Sequence, residues 1–126
     1  IFLIKNYDIQ LLFIFRIIKV KNYKIIKLVD LIGKEASIKF CGNFIDVILK
    51  KFNCAYLDFY NFGINKKILK TAGFVSRYDT QEIIPDHFEP FENRNIDINF
   101  AYQSKTKLKN IRICKSDGDM DRPSLI

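Results

Sequence analysis

The chain is poor in the residues from which metal centres, disulfide frameworks and catalytic triads are built. It holds one histidine, His87, and three cysteines, Cys41, Cys54 and Cys114. An odd number of cysteines with no CxxC spacing and no Cys/His cluster supports neither a disulfide framework nor a zinc site, so no metal is expected and a reducing compartment, the cytoplasm, is the expected setting. Long apolar runs are missing as well. The longest near the start, Leu11 to Phe15, is closed by Arg16, far short of the roughly 20 residues that a membrane-spanning helix needs. There is no signal-peptide pattern, internal repeat or low-complexity tract. The chain opens at Ile1 without an initiator methionine and runs straight into IFLI, which reads as the start of a fragment whose N-terminal part is missing.

What is present is bulk for a core. Of 126 residues, 48% are hydrophobic and 14% aromatic, which fits one packed domain over residues 1–126 rather than a disordered chain. Lys and Arg number 21 against 14 Asp and Glu, a net charge of +7. A basic protein attracts acidic partners, phosphate above all. The lysines are scattered, however, so an anionic cofactor, nucleic acid or solubility alone would each account for them. No recognised nucleic-acid-binding motif accompanies them, which weighs against nucleic acid.

The patterning predicts a mixed α and β fold. Ile1–Ile4, Ile9–Val20 and Tyr23–Ile32 read as three strands of an antiparallel meander, parted by polar turns at Lys5–Asp8 and Lys21–Asn22. The third is apolar nearly throughout, as in a strand covered on both faces. Gly33–Ser37 is a break with helix-start character, and Ile38–Phe52 carries Phe40, Phe44, Val47, Ile48 and Phe52 as the stripe of an amphipathic helix.

Ala55–Tyr60 alternates as a strand, with Tyr56, Asp58 and Tyr60 on one side; Asn61-Phe62-Gly63 breaks it. Asn65 is placed to cap a short helix with Ile68, Leu69 and Ala72 on one face, and Gly73 to end it in a left-handed conformation. Phe74–Tyr78 reads as the next strand, giving a βαβ-like unit or a helix that returns to a sheet edge. Asp79–Asn95 is an ordered, proline-containing connection, Asp97–Tyr102 and Ile111–Cys114 are further strands, and Ser116–Ile126 is an irregular acidic tail.

Asp30 and Asp58 stand out because each is a carboxylate inside an apolar strand, and a buried charge needs a partner or a shifted pKa. Pairing with a lysine or arginine, or a place at a strand edge, is the plain reading of both; a catalytic base is the sharper one. Tyr60 and Asn61 lie at the exit of the Asp58 strand. His87, in Asp86-His87-Phe88-Glu89, has the side chain best suited to proton transfer near neutral pH, set against a structural or exposed role. Asp117, Asp119 and Asp121 resemble half of a calcium loop, but Arg122 stands where glycine is required, so an EF-hand is rejected.

Tyr56–Asn61 and the helix end ILKTAGF, Ile68–Phe74, set in the order meander, helix, strand, helix, strand, resemble the GNAT acyltransferase fold from its second strand onward. VDLIGKE (Val29–Glu35), LDFYNFGI (Leu57–Ile64), IIPDHFEPF (Ile83–Phe91) and DGDMDRP (Asp117–Pro123) are similar to GNAT-like proteins of bacterial surface-polysaccharide pathways. The resemblance implies an α+β fold with a mostly antiparallel sheet and two helices packed on it. It implies a transferase that moves an acyl group from acetyl-CoA or another acyl-CoA to an amino or hydroxyl group of a sugar or small metabolite. The backbone of Tyr23–Ile32, ending in Leu31 and Ile32, would pair with the pantetheine arm. Gly33, Lys34 and Ser37 at the following helix start would take the pyrophosphate, because free amides and the helix dipole attract anions. Asn61 would assist at the cofactor. Asp30 and Asp58, on strands that splay apart around the acyl group, would act as base and orienting partner. Leu69 stands where the family often carries a tyrosine acid, which would move that role to Tyr60. The alternative is a GNAT-shaped module without catalysis, packed on a missing N-terminal half or in a homodimer.

Overall fold

The computed structural model describes residues 1–6, 9–84, 93–95, 97–106 and 110–118. The first third folds as the expected meander. Strands β1 (Phe2–Asn6), β2 (Ile9–Val20) and β3 (Tyr23–Gly33) pair antiparallel in sequence order. The two-residue turn between β2 and β3 holds Lys21 at φ 47°, the left-handed conformation that matches strand twist in tight hairpins. Residues 25–29 of β3 are all buried, as expected of a strand covered on both faces.

A bulge decides which way β3 faces beyond its midpoint. Ile14 lies opposite Asp30 and Phe15 opposite Leu28, so Val29 is an extra residue without a partner on β2. The slip keeps Leu28 and Leu31 in one core cluster with Leu11 and Phe13, although three positions separate them. It also returns Asp30 to the face of Lys27: their partners Ile14 and Arg16 are two apart on β2, and alternate residues of a strand share a face.

A 3₁₀ segment (Glu35–Phe40) and helix α1 (Gly42–Phe52) carry the chain over one face of the sheet to β4 (Leu57–Phe59), which pairs parallel to β3. The α helix thus begins at Gly42, later than the expected Ile38. Its inward side is Cys41, Phe44, Ile45, Ile48, Leu49 and Phe52, the i, i+3, i+4, i+7 spacing of a packed face. Phe40 and Val47, read as part of that stripe, are exposed. Phe44 meets Phe13 edge-on with centroids 5.3 Å apart, and Phe52 meets Phe15 at 6.0 Å. Aromatic pairs of this geometry add about 0.5–1.5 kcal/mol each beyond the area they bury.

Helix α2 (Lys66–Thr71) has the predicted ends. The Asn65 side chain accepts the Lys67 amide at 2.9 Å, and Gly73 has φ 89°. Gly73 and Phe74 donate back to Lys70 and Leu69, two bonds that close the last carbonyls of the helix. That closure helps explain why Phe74–Tyr78 is not the strand expected. Phe74 spends its amide on the helix, and the Asp79 amide turns back onto Ser76. The parallel unit is therefore β3, α1, β4, one step earlier than the alternation suggested.

After β4 the chain leaves the four-stranded sheet. Asn61–Phe62 forms β5, paired antiparallel with β6 (Ile113–Cys114), the register being Asn61 with Cys114 and Phe62 with Ile113. The break expected over Asn61–Gly63 is thus confined to Gly63, with φ 83°, where a Cβ would sit 1.8 Å from the Ile111 carbonyl oxygen. Asp97–Tyr102 forms no strand among the described residues. Instead Asp97 accepts from Arg77 and from the Tyr78 hydroxyl, while Phe100 packs edge-on against Phe62 with centroids 4.9 Å apart. The architecture is mixed α and β with a mostly antiparallel sheet, and no helix among the described residues is long and apolar enough to cross a membrane.

Candidate functional site

The face of the sheet away from α1 gathers the chain's buried charges. β3 and β4 share three residue pairs, Ile26 with Leu57, Lys27 with Asp58 and Leu28 with Phe59; then β4 ends and β3 continues to Gly33. The ammonium of Lys27 meets the Asp58 carboxylate at 2.9 Å with both side chains more than nine-tenths buried. The contact is a buried ion pair. Of the two readings of Asp58, pairing with a lysine is thus what the strand register delivers. The carboxylate also bears on Tyr56, the next residue of the same face. Burial first, then the charge of Asp58 and the neighbouring Tyr23, push the Tyr56 phenol above its usual range.

Tyr60 lies at the point where β3 and β4 part. The Lys27 ammonium is 5.3 Å from its ring centroid and that of Lys115 is 4.9 Å away, within cation–π range. Lys115 begins a short 3₁₀ turn (Lys115–Asp117) after β6 and is 95% buried, at 5% exposure. Its place follows from the β5–β6 register, which carried one residue further sets Tyr60 opposite Lys115. The turn is closed by the Cys114 amide donating to the Asp117 carboxylate at 2.7 Å.

Asp30 shares this face but has a partner of its own, since its Oδ1 accepts the Leu31 amide at 2.7 Å. It acts on Cys114: burial, then the charges of Asp30 and Asp117, push the Cys114 thiol up to about 12, against a hydrogen bond from the Leu31 backbone. Cys114 therefore meets β3 at Leu31 while its strand pairs with β5. The structure brings Asp58 and Tyr60 together through Lys27; Asp30 lies further along the strand. His87 falls outside the described residues, as do Asp119 and Asp121.

The residues expected to receive a cofactor are differently placed. Leu31 is in the core cluster, Ile32 is exposed, and Asn61 donates to the Phe59 carbonyl at 3.4 Å. Gly33 is fixed by its neighbours: a Cβ there would lie 2.5 Å from the Gln10 carbonyl oxygen, and its own carbonyl accepts from Arg112 at 3.1 Å. The segment after it begins a 3₁₀ turn rather than an α helix. Lys34 is exposed and Ser37 buried, with the Ser37 amide donating to the Lys34 carbonyl. Glu35 reaches across to accept the Asn65 amide at 2.7 Å, which puts a carboxylate beside the expected anion site. The α-helix N-terminus at Gly42 lies under the Ala72 carbonyl, 2.8 Å from where a Cβ would stand.

Sequence reasoning passed over Lys27, Lys115 and Cys114. Lys27 left a trace, being a lysine set inside the run Ile25–Ile32 that also holds Asp30. Lys115 left none, because its contact with Tyr60 joins segments far apart in the chain. Among the described residues no group of three His, Cys, Asp or Glu side chains is placed to hold a metal.

No family model, curated protein or solved structure matches the chain. The cluster offers a carboxylate paired with Lys27 and a phenol ring beside the side-chain nitrogens of Lys27 and Lys115.

Proposed function

We propose that the chain is a GNAT-like domain that transfers an acyl group from acetyl-CoA or another acyl-CoA to an amino or hydroxyl group of a sugar or small metabolite. The observation that carries this reading is the parting of two parallel strands after three residue pairs, with Asp58 and Tyr60 at the point of divergence. The bulge at Val29 supports it by turning Asp30 toward the same side. In the reaction a bond forms between the acceptor nitrogen or oxygen and the acyl carbon while the thioester C–S bond breaks. Asp58, paired with Lys27, takes the acceptor's proton, and the Tyr60 hydroxyl supplies one to the leaving thiolate.

Calorimetric titration of the chain with acetyl-CoA, with inorganic phosphate as control, tests the proposal. In a thermal-shift version, ligand at about 100 times its dissociation constant adds about 2.7 kcal/mol to stability. Lys34→Glu should weaken that binding. A folded sample that gains nothing from acyl-CoA refutes the assignment.

Two features of the fold favour a second reading, a GNAT-shaped module that binds a partner without catalysis. Cys114 meets β3 at Leu31, the strand expected to pair with the pantetheine arm, and the Ala72 carbonyl covers the start of α1, the α-helix end that a phosphate would otherwise approach. Absence of acyl-CoA binding by the folded chain selects this alternative.

A further inference from the structure

We propose that Lys115 is a positioning residue of this site, which with Lys27 holds the ring of Tyr60 in one orientation, and that the C-terminal segment Ile113–Asp117 is therefore part of the site. The role given to the Tyr60 hydroxyl rests on the acyl-transfer reading; the holding of the ring does not. Three observations lead to it. Carried one residue past its last pair, the β5–β6 register sets Lys115 across from Tyr60, where the Lys115 nitrogen lies 4.9 Å from the ring centroid. The 3₁₀ turn, closed by the Cys114 amide on Asp117 and the Gly118 amide on the Lys115 carbonyl at 3.3 Å, holds the Lys115 backbone in that place. Finally, Lys115 is 5% exposed, and Lys27, which reaches the same ring from β3, is 2% exposed.

Burial is what separates positioning from filling space. Removing an ammonium from water is costly, and a methionine or leucine would fill the same volume without that cost. The ring of Tyr60, 4.9 Å from the Lys115 nitrogen, is a contact that a methionine or leucine would not make through charge. Lysine side chains from β3 and from the 3₁₀ turn after β6 converge on the ring of one tyrosine, which restricts the directions its hydroxyl can take. Desolvation strengthens each cation–π contact relative to one at the surface.

The test uses the full chain with K115M and K115R, Tyr60 ring resonances assigned by NMR through Y60F, and turnover of acetyl-CoA with a panel of amino and hydroxyl acceptors. K115M should fold, move the Tyr60 ring signals and lower kcat about 10-fold, the scale of one desolvated cation–π contact. The KM for acetyl-CoA should stay unchanged, and K115R should restore both the signals and the rate. If K115M does not fold, K115Q takes its place. Tyr60 signals that coincide in the variant and the wild type overturn the proposal, as does an arginine that restores neither readout. A wild-type chain that binds no acyl-CoA sinks the acyl-transfer reading instead, and the ring signals alone then decide the positioning role.

Discussion

Replacing Lys27 by methionine isolates the energetics of the buried pair. The substitution keeps most of the side-chain volume but leaves the Asp58 carboxylate, 6% exposed, without its counter-ion. Breaking one partner of a buried ion pair costs about 3–5 kcal/mol, because the remaining charge stays desolvated. Against the roughly 5–15 kcal/mol that holds a domain folded, that is a large fraction. The double variant Lys27→Met, Asp58→Leu removes both charges and should lose little, or gain up to about 4 kcal/mol, since the desolvation cost goes with them. With the single variant Asp58→Leu completing the cycle, urea unfolding followed by circular dichroism, with the m-value checked for constancy across the four proteins, yields the coupling energy directly. A Lys27→Met cost below about 1 kcal/mol, the value of a surface pair, would refute the burial argument. So would a double variant less stable than the single one.

Three other outcomes follow from the local geometry. Gly63→Ala should cost clearly more than Gly73→Ala in the same unfolding assay: both have positive φ, worth about 1–2 kcal/mol to a residue with a Cβ, but only Gly63 meets the Ile111 carbonyl, while nothing lies within 4 Å at Gly73. Equal costs would show that Ile111 can move aside. Asn65→Ala should lose about 1 kcal/mol through the missing bond to the Lys67 amide, and Asn65→Ser should recover most of it.

Stability should also fall in alkali. The Cys41 thiol, pushed up to about 11 by burial, and the Cys114 thiol, pushed up to about 12, both keep their protons in the fold past their ordinary value of 9.0. The unfolded chain therefore binds fewer protons above about pH 9. The contribution of these thiols is whole below that pH and is lost as pH rises through about 11 and 12, with a slope of at most about 1.4 kcal/mol per pH unit for each. Cys114→Ala should flatten that slope in pH-dependent urea unfolding, and an unchanged slope would remove the thiol from the account.

How much of this was legible in the chain varies with the range of the interaction. The Lys21–Asn22 turn, the Asn65 cap and the Gly73 stop each depend on neighbours a few residues away, and each is found where it was expected. The meander was legible because its strands are long and joined by short turns. The Phe40 and Val47 positions were misread because the helical count was started at Ile38, whereas the first six residues after Lys34 wind as 3₁₀ and shift the phase of the face. Alternation in Asp97–Tyr102 fixed which side chains share a side, here Phe100 and Tyr102 in a stack 6.4 Å apart, but could not supply a partner strand.

The site divides along the same line. Asp58 and Tyr60 were marked by sequence alone, since a carboxylate in an apolar strand and a residue two further on must share a face. What each of them touches was decided by the tertiary structure. The parallel register that puts Lys27 against Asp58 depends on where α1 returns the chain, and the bulge at Val29 depends on how β3 settles against β2. Lys115 reaches Tyr60 only because β6 crosses back from far along the chain. Local sequence sets dihedral angles and the spacing of apolar side chains; which buried charges meet is set by pairings between distant segments, whose closure entropy is recovered only when the whole sheet forms.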